Sequence, residues 1–158
     1  ILAVQTYSRR LYQKLSEGFK LTEKEMKYIS LFEAATGVAA VDCVESGDLV
    51  VFVVREGDLK KVLSKGGSKI QEFSRIIKKR VKVIELSEDP SNFVKNALMP
   101  ARLSGPVRIA SRPDGRKIAI ASVDPKDKGL AIGKNGKTIE LVRLLAKRHY
   151  SIDHVTIQ

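Results

Sequence analysis

A chain of 158 residues with a single cysteine, two histidines and no tryptophan excludes several classes of protein at once. One thiol, Cys43, cannot build an internal disulfide framework, and it fits a reducing compartment. His149 and His154, with Cys43 far upstream, are too few and too badly spaced for a zinc site. They read instead as a solvated helix-end residue and a strand residue, and Cys43 as a small buried strand residue. No apolar run approaches the roughly 20 residues of a membrane helix. The longest, Leu49-Val50-Val51-Phe52-Val53-Val54, is strand-sized and β-branched. The opening Ile1-Leu2-Ala3-Val4 is too short for a signal-peptide core, so the cytoplasm is the expected location. With no nucleophile elbow and no distinctive carboxylate pair, no catalytic residue, metal, cofactor or small-molecule substrate is expected.

What the chain does have is positive charge, 29 Lys+Arg against 18 Asp+Glu, a formal net of +11. Basic proteins are often merely well solvated, so the placement of the charge matters more than its sum. Residues 1–20 carry net +3, residues 21–89 are neutral and residues 90–158 carry +8. The neutral segment is itself split: between Lys60 and Lys82 there are nine basic residues and one acid, Glu72.

Thr22-Glu23-Lys24-Glu25 reads as a capping box with Leu21 and Met26 as its staple, opening a helix that should stop at Gly37. Val38–Val44 and Leu49–Val54 read as strands around an Glu45-Ser46-Gly47-Asp48 turn. A short helix over Leu59–Leu63, an interruption at Ser64-Lys65-Gly66-Gly67, a longer helix with Ile70, Phe73 and Ile77 buried, and a strand over Val81–Leu86 complete the unit. Pro90 then starts a new helix, with Phe93 to Leu98 inside it. Strands over Val107–Ser111 and Lys117–Val123 flank Arg112-Pro113-Asp114-Gly115. A short helix runs from Asp124-Pro125 to Ile132, and Gly133-Lys134-Asn135-Gly136 interrupts it. A longer helix buries Ile139, Val142 and Ala146, and Tyr150–Ile157 reads as the last strand.

The order α-β-β-α-α-β thus occurs twice. Sliding the chain by 69 residues places Leu63 on Ile132, Gly67 on Gly136, Ile70 on Ile139, Phe73 on Val142 and Val83 on Ile152. The expected organisation is an extension over 1–20 and two repeats over 21–88 and 89–158, each small enough to be marginal alone.

The most informative segment is Ile132-Gly133-Lys134-Asn135-Gly136-Lys137-Thr138-Ile139. Two glycines three apart between short amphipathic helices form a tight joint: glycine tolerates positive φ, and without a Cβ it lets a phosphate backbone approach. Amides opening the next helix favour an anion, Lys134 and Lys137 add charge, and Ile132 and Ile139 are expected to pin the joint to the core. A KH domain clamps single-stranded nucleotides with such a GXXG loop. Read alone, the glycines are better explained as a helix cap and a turn; the repeat, the element order and the basic surroundings shift the reading to the loop. Gly136-Lys137-Thr138 also looks like the end of a P-loop. That motif needs a glycine where Ala131 stands and a strand before it, where a helix is expected.

Two segments carry a resemblance to a family. Phe93-Val94-Lys95-Asn96-Ala97-Leu98-Met99-Pro100-Ala101 resembles the F-I-x-N-A-L-x-P-A signature of the second KH domain of NusA, and Leu130-Ala131-Ile132-Gly133-Lys134-Asn135-Gly136 resembles its L-A-I-G-K-x-G segment. The resemblance runs from Leu21 to Gln158 and is to the short, archaeal-type form. It implies an α+β fold of two tandem type II KH domains, each a three-stranded sheet covered by helices. It implies RNA binding in transcription elongation, pausing and termination, with RNA polymerase or other transcription factors as partners. The chain is expected to have no room for the polymerase-binding N-terminal domain or the S1 domain of longer bacterial relatives. The first repeat departs from the pattern, with Ser64 in place of the first loop glycine; it fits if its φ is negative, with an altered approach for RNA.

On this reading the amides around Gly133–Gly136 and Gly66–Gly67 approach the sugar-phosphate backbone of single-stranded RNA. Lys65, Lys69, Lys134 and Lys137 meet phosphates, while Ile132 and Leu63 line an apolar floor for bases. Arg143, Lys147 and Arg148 either extend the track or form a solvated helix face. A ribosomal KH protein or assembly factor, or a protein-interaction module docking through its acidic face, would use the same scaffold.

Overall fold

The structure, a computed structural model, describes residues 21–158; the expected extension over 1–20 lies outside the described residues. The chain divides into two compact units at the junction of Glu85 and Leu86.

The first unit opens with α1 (Glu23–Thr36), started by the capping box. The Glu25 amide donates to the Thr22 hydroxyl at 3.1 Å and the Thr22 amide to the Glu25 carboxylate at 2.8 Å. It ends where Gly37 turns left-handed, at φ 74°. Strand β1 (Ala40–Ser46) begins two residues later than Val38. The Val38 amide is already engaged by the Thr36 hydroxyl at 3.1 Å, which ties Val38 to the helix end. Glu45 and Ser46 pair with Val50 and Leu49 of β2 (Leu49–Val54), so the turn is the two-residue Gly47-Asp48 and not four residues.

Strand β2 is antiparallel to β1 and parallel to β3 (Arg80–Glu85), giving the sheet order β1-β2-β3. A parallel pair requires a crossover. It is made by α2 (Leu59–Val62), a 3₁₀ turn over Ser64–Gly67 and α3 (Ser68–Ile77). Phe32 stacks on Phe52 at 4.5 Å and Phe73 meets both rings edge-on, forming the centre of the core; Ile70 and Ile77 pack half-buried against it. Such ring pairs add about 0.5–1.5 kcal/mol each beyond the area they bury.

The second unit repeats the order with α4 (Pro90–Leu98), β4 (Arg108–Ser111), β5 (Lys117–Ala121), α5 (Lys128–Ile132), α6 (Lys137–Tyr150) and β6 (His154–Ile157). Its sheet order is β4-β5-β6, again one antiparallel and one parallel pair. Proline opens α4, with the Asp89 carboxylate accepting the Ser91 amide. The strand after Arg112–Gly115 stops at Ala121, and Val123 lies beyond it, bridging Leu103 and donating its amide to the Gln158 carbonyl at 3.0 Å.

Tyr150 ends a helix; it does not start a strand. Its ring lies 4.6 Å from Phe93, and its hydroxyl donates to the Ser87 carbonyl at 2.6 Å while accepting the Ser87 amide. Because α6 has 14 residues and α3 only 10, the offset of 69 fails for the last strand. Val51, which the offset places on Ile120, stands opposite Lys82, but Ile120 stands opposite Thr156, so Val83 does not correspond to Ile152. Ile152 is buried just before β6. Cys43 is a buried strand residue, as expected; His154 lies exposed on β6, and His149 is half-buried with its ring 6.4 Å from Phe93.

Candidate nucleic-acid interface

In each unit the parallel crossover carries a joint between a short helix and a long one. In the second unit α5 ends at Ile132, with the Gly133 amide donating to the Gly129 carbonyl at 2.9 Å. Gly133 then adopts φ 79° and ψ 170°, a region essentially restricted to glycine. Lys134–Gly136 form a 3₁₀ turn with Asn135 left-handed (φ 57°, ψ 25°), and left-handed Gly136 starts α6 with no side-chain cap. The first turn of a helix has amides without intrahelical partners, and its dipole favours negative charge.

Thr138 fills the space over Gly133. A Cβ placed on Gly133 would lie 2.2 Å from the Thr138 hydroxyl oxygen and 2.6 Å from its Cβ. Thr138 is buried, and nothing in the spacing of the sequence marked it as part of the joint. Its burial also separates the segment from a P-loop: Gly136-Lys137-Thr138 follows a helix, and its threonine is turned into the protein.

The expectation that Ile132 and Ile139 both pin the joint is half correct. Ile139 is buried, but Ile132 is 41% exposed and Leu130 55%. Ala131, fully buried, is the anchor of α5. The same arrangement holds α2, where Val62 is buried and Leu63 is 48% exposed. Leu63 and Ile132 therefore each present an apolar surface beside their joint. Val62 and Ala131 fall on each other in the 69-residue register, as do Leu63 and Ile132, so the two units share the anchor and the exposed neighbour.

The charges divide into two groups. Arg102 donates from its amide and Nε to Asp127 at 2.9 Å each, closing the 3₁₀ turn over Pro125–Asp127 that leads into α5. These hydrogen bonds from Arg102 hold the Asp127 carboxyl below the usual carboxylate range. Arg116 pairs with Asp114 and Lys147 with Asp153. Lys134 and Lys137, in contrast, form no ion pair among the described residues; Lys134 and Asn135 are exposed and Lys137 half-exposed.

Of the other expected contributors, Arg143 donates from Nε to the Val155 carbonyl of β6 at 3.1 Å. Lys147 faces Asp153, beyond the other end of α6. Arg148 is half-buried and partnered. The structure does not gather these three at the joint.

The first joint differs. Positive φ outside glycine falls only at Lys78, Asn135 and Ser151 among the described residues, so Ser64 keeps a negative φ. Its hydroxyl donates back to the Lys61 carbonyl at 2.9 Å. Lys65 lies within the 3₁₀ turn, Gly66 and Gly67 are left-handed at φ 69° and 77°, and Lys69 is half-exposed in the first turn of α3.

The family described as "NusA-like second KH domain" matches residues 90–157, the unit that carries the Gly133–Gly136 joint. A relative from Halococcus morrhuae, named "Probable transcription termination protein NusA", is 34% identical over 137 residues, covering 87% of this chain and 96% of its own length. One of the same name from Methanocaldococcus jannaschii is 30% identical over 138 residues, covering 87% of this chain and 74% of its own. A solved structure described as "Crystal structure of APE1850" matches with a TM-score of 0.69 and 30% identity, over 87% of this chain and 100% of that one. The fold is mixed α+β and KH-like, three-stranded sheets with helices. The chain belongs to the NusA family.

Proposed function

We propose that the chain is a non-catalytic, cytoplasmic RNA-binding factor of transcription elongation and termination. In this reading it is built as two tandem type II KH domains over 21–88 and 89–158. The carrying observation is the second joint: a glycine-only kink at Gly133, an uncapped helix start at Gly136, and Lys134 and Lys137 without ion pairs among the described residues. Phosphate-binding elements position a nucleic acid, and a GXXG loop clamps about four backbone nucleotides.

In this reading the Gly133–Gly136 amides approach the sugar-phosphate backbone, and Lys134 and Lys137 neutralise phosphates. Ile132 supplies the apolar floor, and Leu63, Ser64, Lys65, Gly66, Gly67 and Lys69 form the corresponding contact surface of the first unit. The names of the relatives support a role in termination; RNA polymerase or other transcription factors are the protein partners this reading proposes.

The test is the double substitution Lys134→Asp and Asn135→Asp, assayed with labelled single-stranded RNA. Aspartate tolerates the left-handed backbone at position 135, so the fold should survive. One charge reversal and one added negative charge against phosphate should weaken binding by about tenfold or more at physiological salt. An unchanged affinity with an intact circular dichroism spectrum contradicts the assignment.

A further inference from the structure

We infer that the two joints do unequal work: the Gly133–Gly136 joint clamps the RNA backbone, with Thr138 as the residue that positions it, whereas the Ser64–Gly67 joint attracts and contacts RNA without clamping its backbone. The inference rests on the RNA-binding reading above and concerns how that site is built.

Gly133 and Thr138 require one another. The backbone at Gly133 lies where only glycine is at ease, and the volume a Cβ would occupy is taken by the threonine side chain. The paired requirement fixes a sharp exit from α5. The chain turns extended at Gly133 and reaches the start of α6 through the left-handed Asn135 and Gly136.

In the 69-residue register Ser64 stands for Gly133 and Lys69 for Thr138, so both members of the pair are replaced together. With negative φ and its hydroxyl on the Lys61 carbonyl, Ser64 lets the helical path run on past Leu63. The hydrogen bonding records the difference. The Gly67 amide donates four residues back to the Leu63 carbonyl at 3.1 Å, but the Gly136 amide donates three residues back to Gly133, also at 3.1 Å. Both long helices begin on a left-handed glycine without a side-chain cap, so the helix start does not distinguish the joints. What distinguishes them is the kink. Amide contacts to phosphate demand a fixed backbone, whereas attraction by lysines demands no particular path and fades beyond the Debye length.

The experiment uses the intact chain and a labelled single-stranded RNA of about twelve nucleotides of randomised sequence, roughly three GXXG footprints long. Lys134→Asp with Asn135→Asp should cost about tenfold or more in affinity, and the matched pair Lys65→Asp with Gly66→Asp about threefold or less, vanishing near 0.5 M salt. Thr138→Lys should lose as much as the second-joint pair, while Thr138→Ser, which keeps the hydroxyl, should stay within about twofold. Ser64→Gly with Lys69→Thr, added to the crippled second-joint variant, should restore about threefold or more. Thermal unfolding monitors folding throughout. Equal losses at the two joints, a harmless Thr138→Lys, or a failed rescue in a folded protein would overturn the inference and leave RNA binding intact. A wild-type chain that binds no RNA contradicts the preceding reading itself.

Discussion

Lys82 sits half-buried in β3, and burial pushes its ammonium down to about 8 from the ordinary value of 10.5. The unfolded chain therefore holds this proton more tightly than the folded one. Stability is penalised in full below pH 8, and the penalty is relieved as pH rises from about 8 toward 10.5. Lys82→Met keeps the length of the side chain and removes the charge. The variant should be more stable at about pH 7, by about 1–2 kcal/mol in urea unfolding, and less sensitive to pH between about 7 and 10. A variant less stable than the wild type at neutral pH contradicts this.

Thr138 makes a second point at the same scale. Read from the sequence it is a threonine in a P-loop-like tripeptide, whereas its packing on Gly133 makes it part of the joint. No spacing rule reports that contact, because it depends on the φ and ψ of another residue.

At the level of elements, two carboxylates hold the approach to α5: Asp124 accepts the Lys126 amide at 3.0 Å, and Asp127 ties the turn to Arg102. Asp127 accepts the amide and the guanidinium of Arg102, which fixes the turn from which α5 departs toward the joint. Its pKa is lowered by those bonds, so its contribution is complete above the unfolded value near 3.8 and is lost as pH falls through the folded value. Asp127→Asn should lower the thermal midpoint at neutral pH, and the gap to the wild type should close below about pH 4. A gap that persists in acid would show that the charge is not what matters.

Elements defined by local chemistry were legible in the sequence. The capping box of α1, the proline start of α4 and the two-stage helices around both joints all appear where the residues put them. Boundaries set by tertiary partners were not. Val38 is drawn out of β1 by Thr36, Tyr150 is drawn into α6 by Ser87 and Phe93, and the extra turn of α6 shifts β6 against the repeat. Ile132 and Ala131 are neighbours on a five-residue helix, too short for periodicity to say which of them is inside.

For the whole molecule, the excess of +11 matters through its distribution. In the second unit Arg102, Arg116 and Lys147 are tied to acids, while the lysines of the Gly133–Gly136 joint have no such partner among the described residues. The sequence showed where basic residues cluster; the ion pairs show which of them remain available to a polyanion. The central claim is that the available ones meet the phosphates of single-stranded RNA.

The direct measurement is the affinity of the intact chain for single-stranded RNA as a function of salt. With about four to six phosphates contacted, log affinity should fall against log salt with a slope between about −3 and −4, at roughly −0.7 per phosphate. Lys134→Asp with Asn135→Asp should make that slope shallower by about one or more. A slope near zero, or one the double substitution leaves unchanged, would contradict the account.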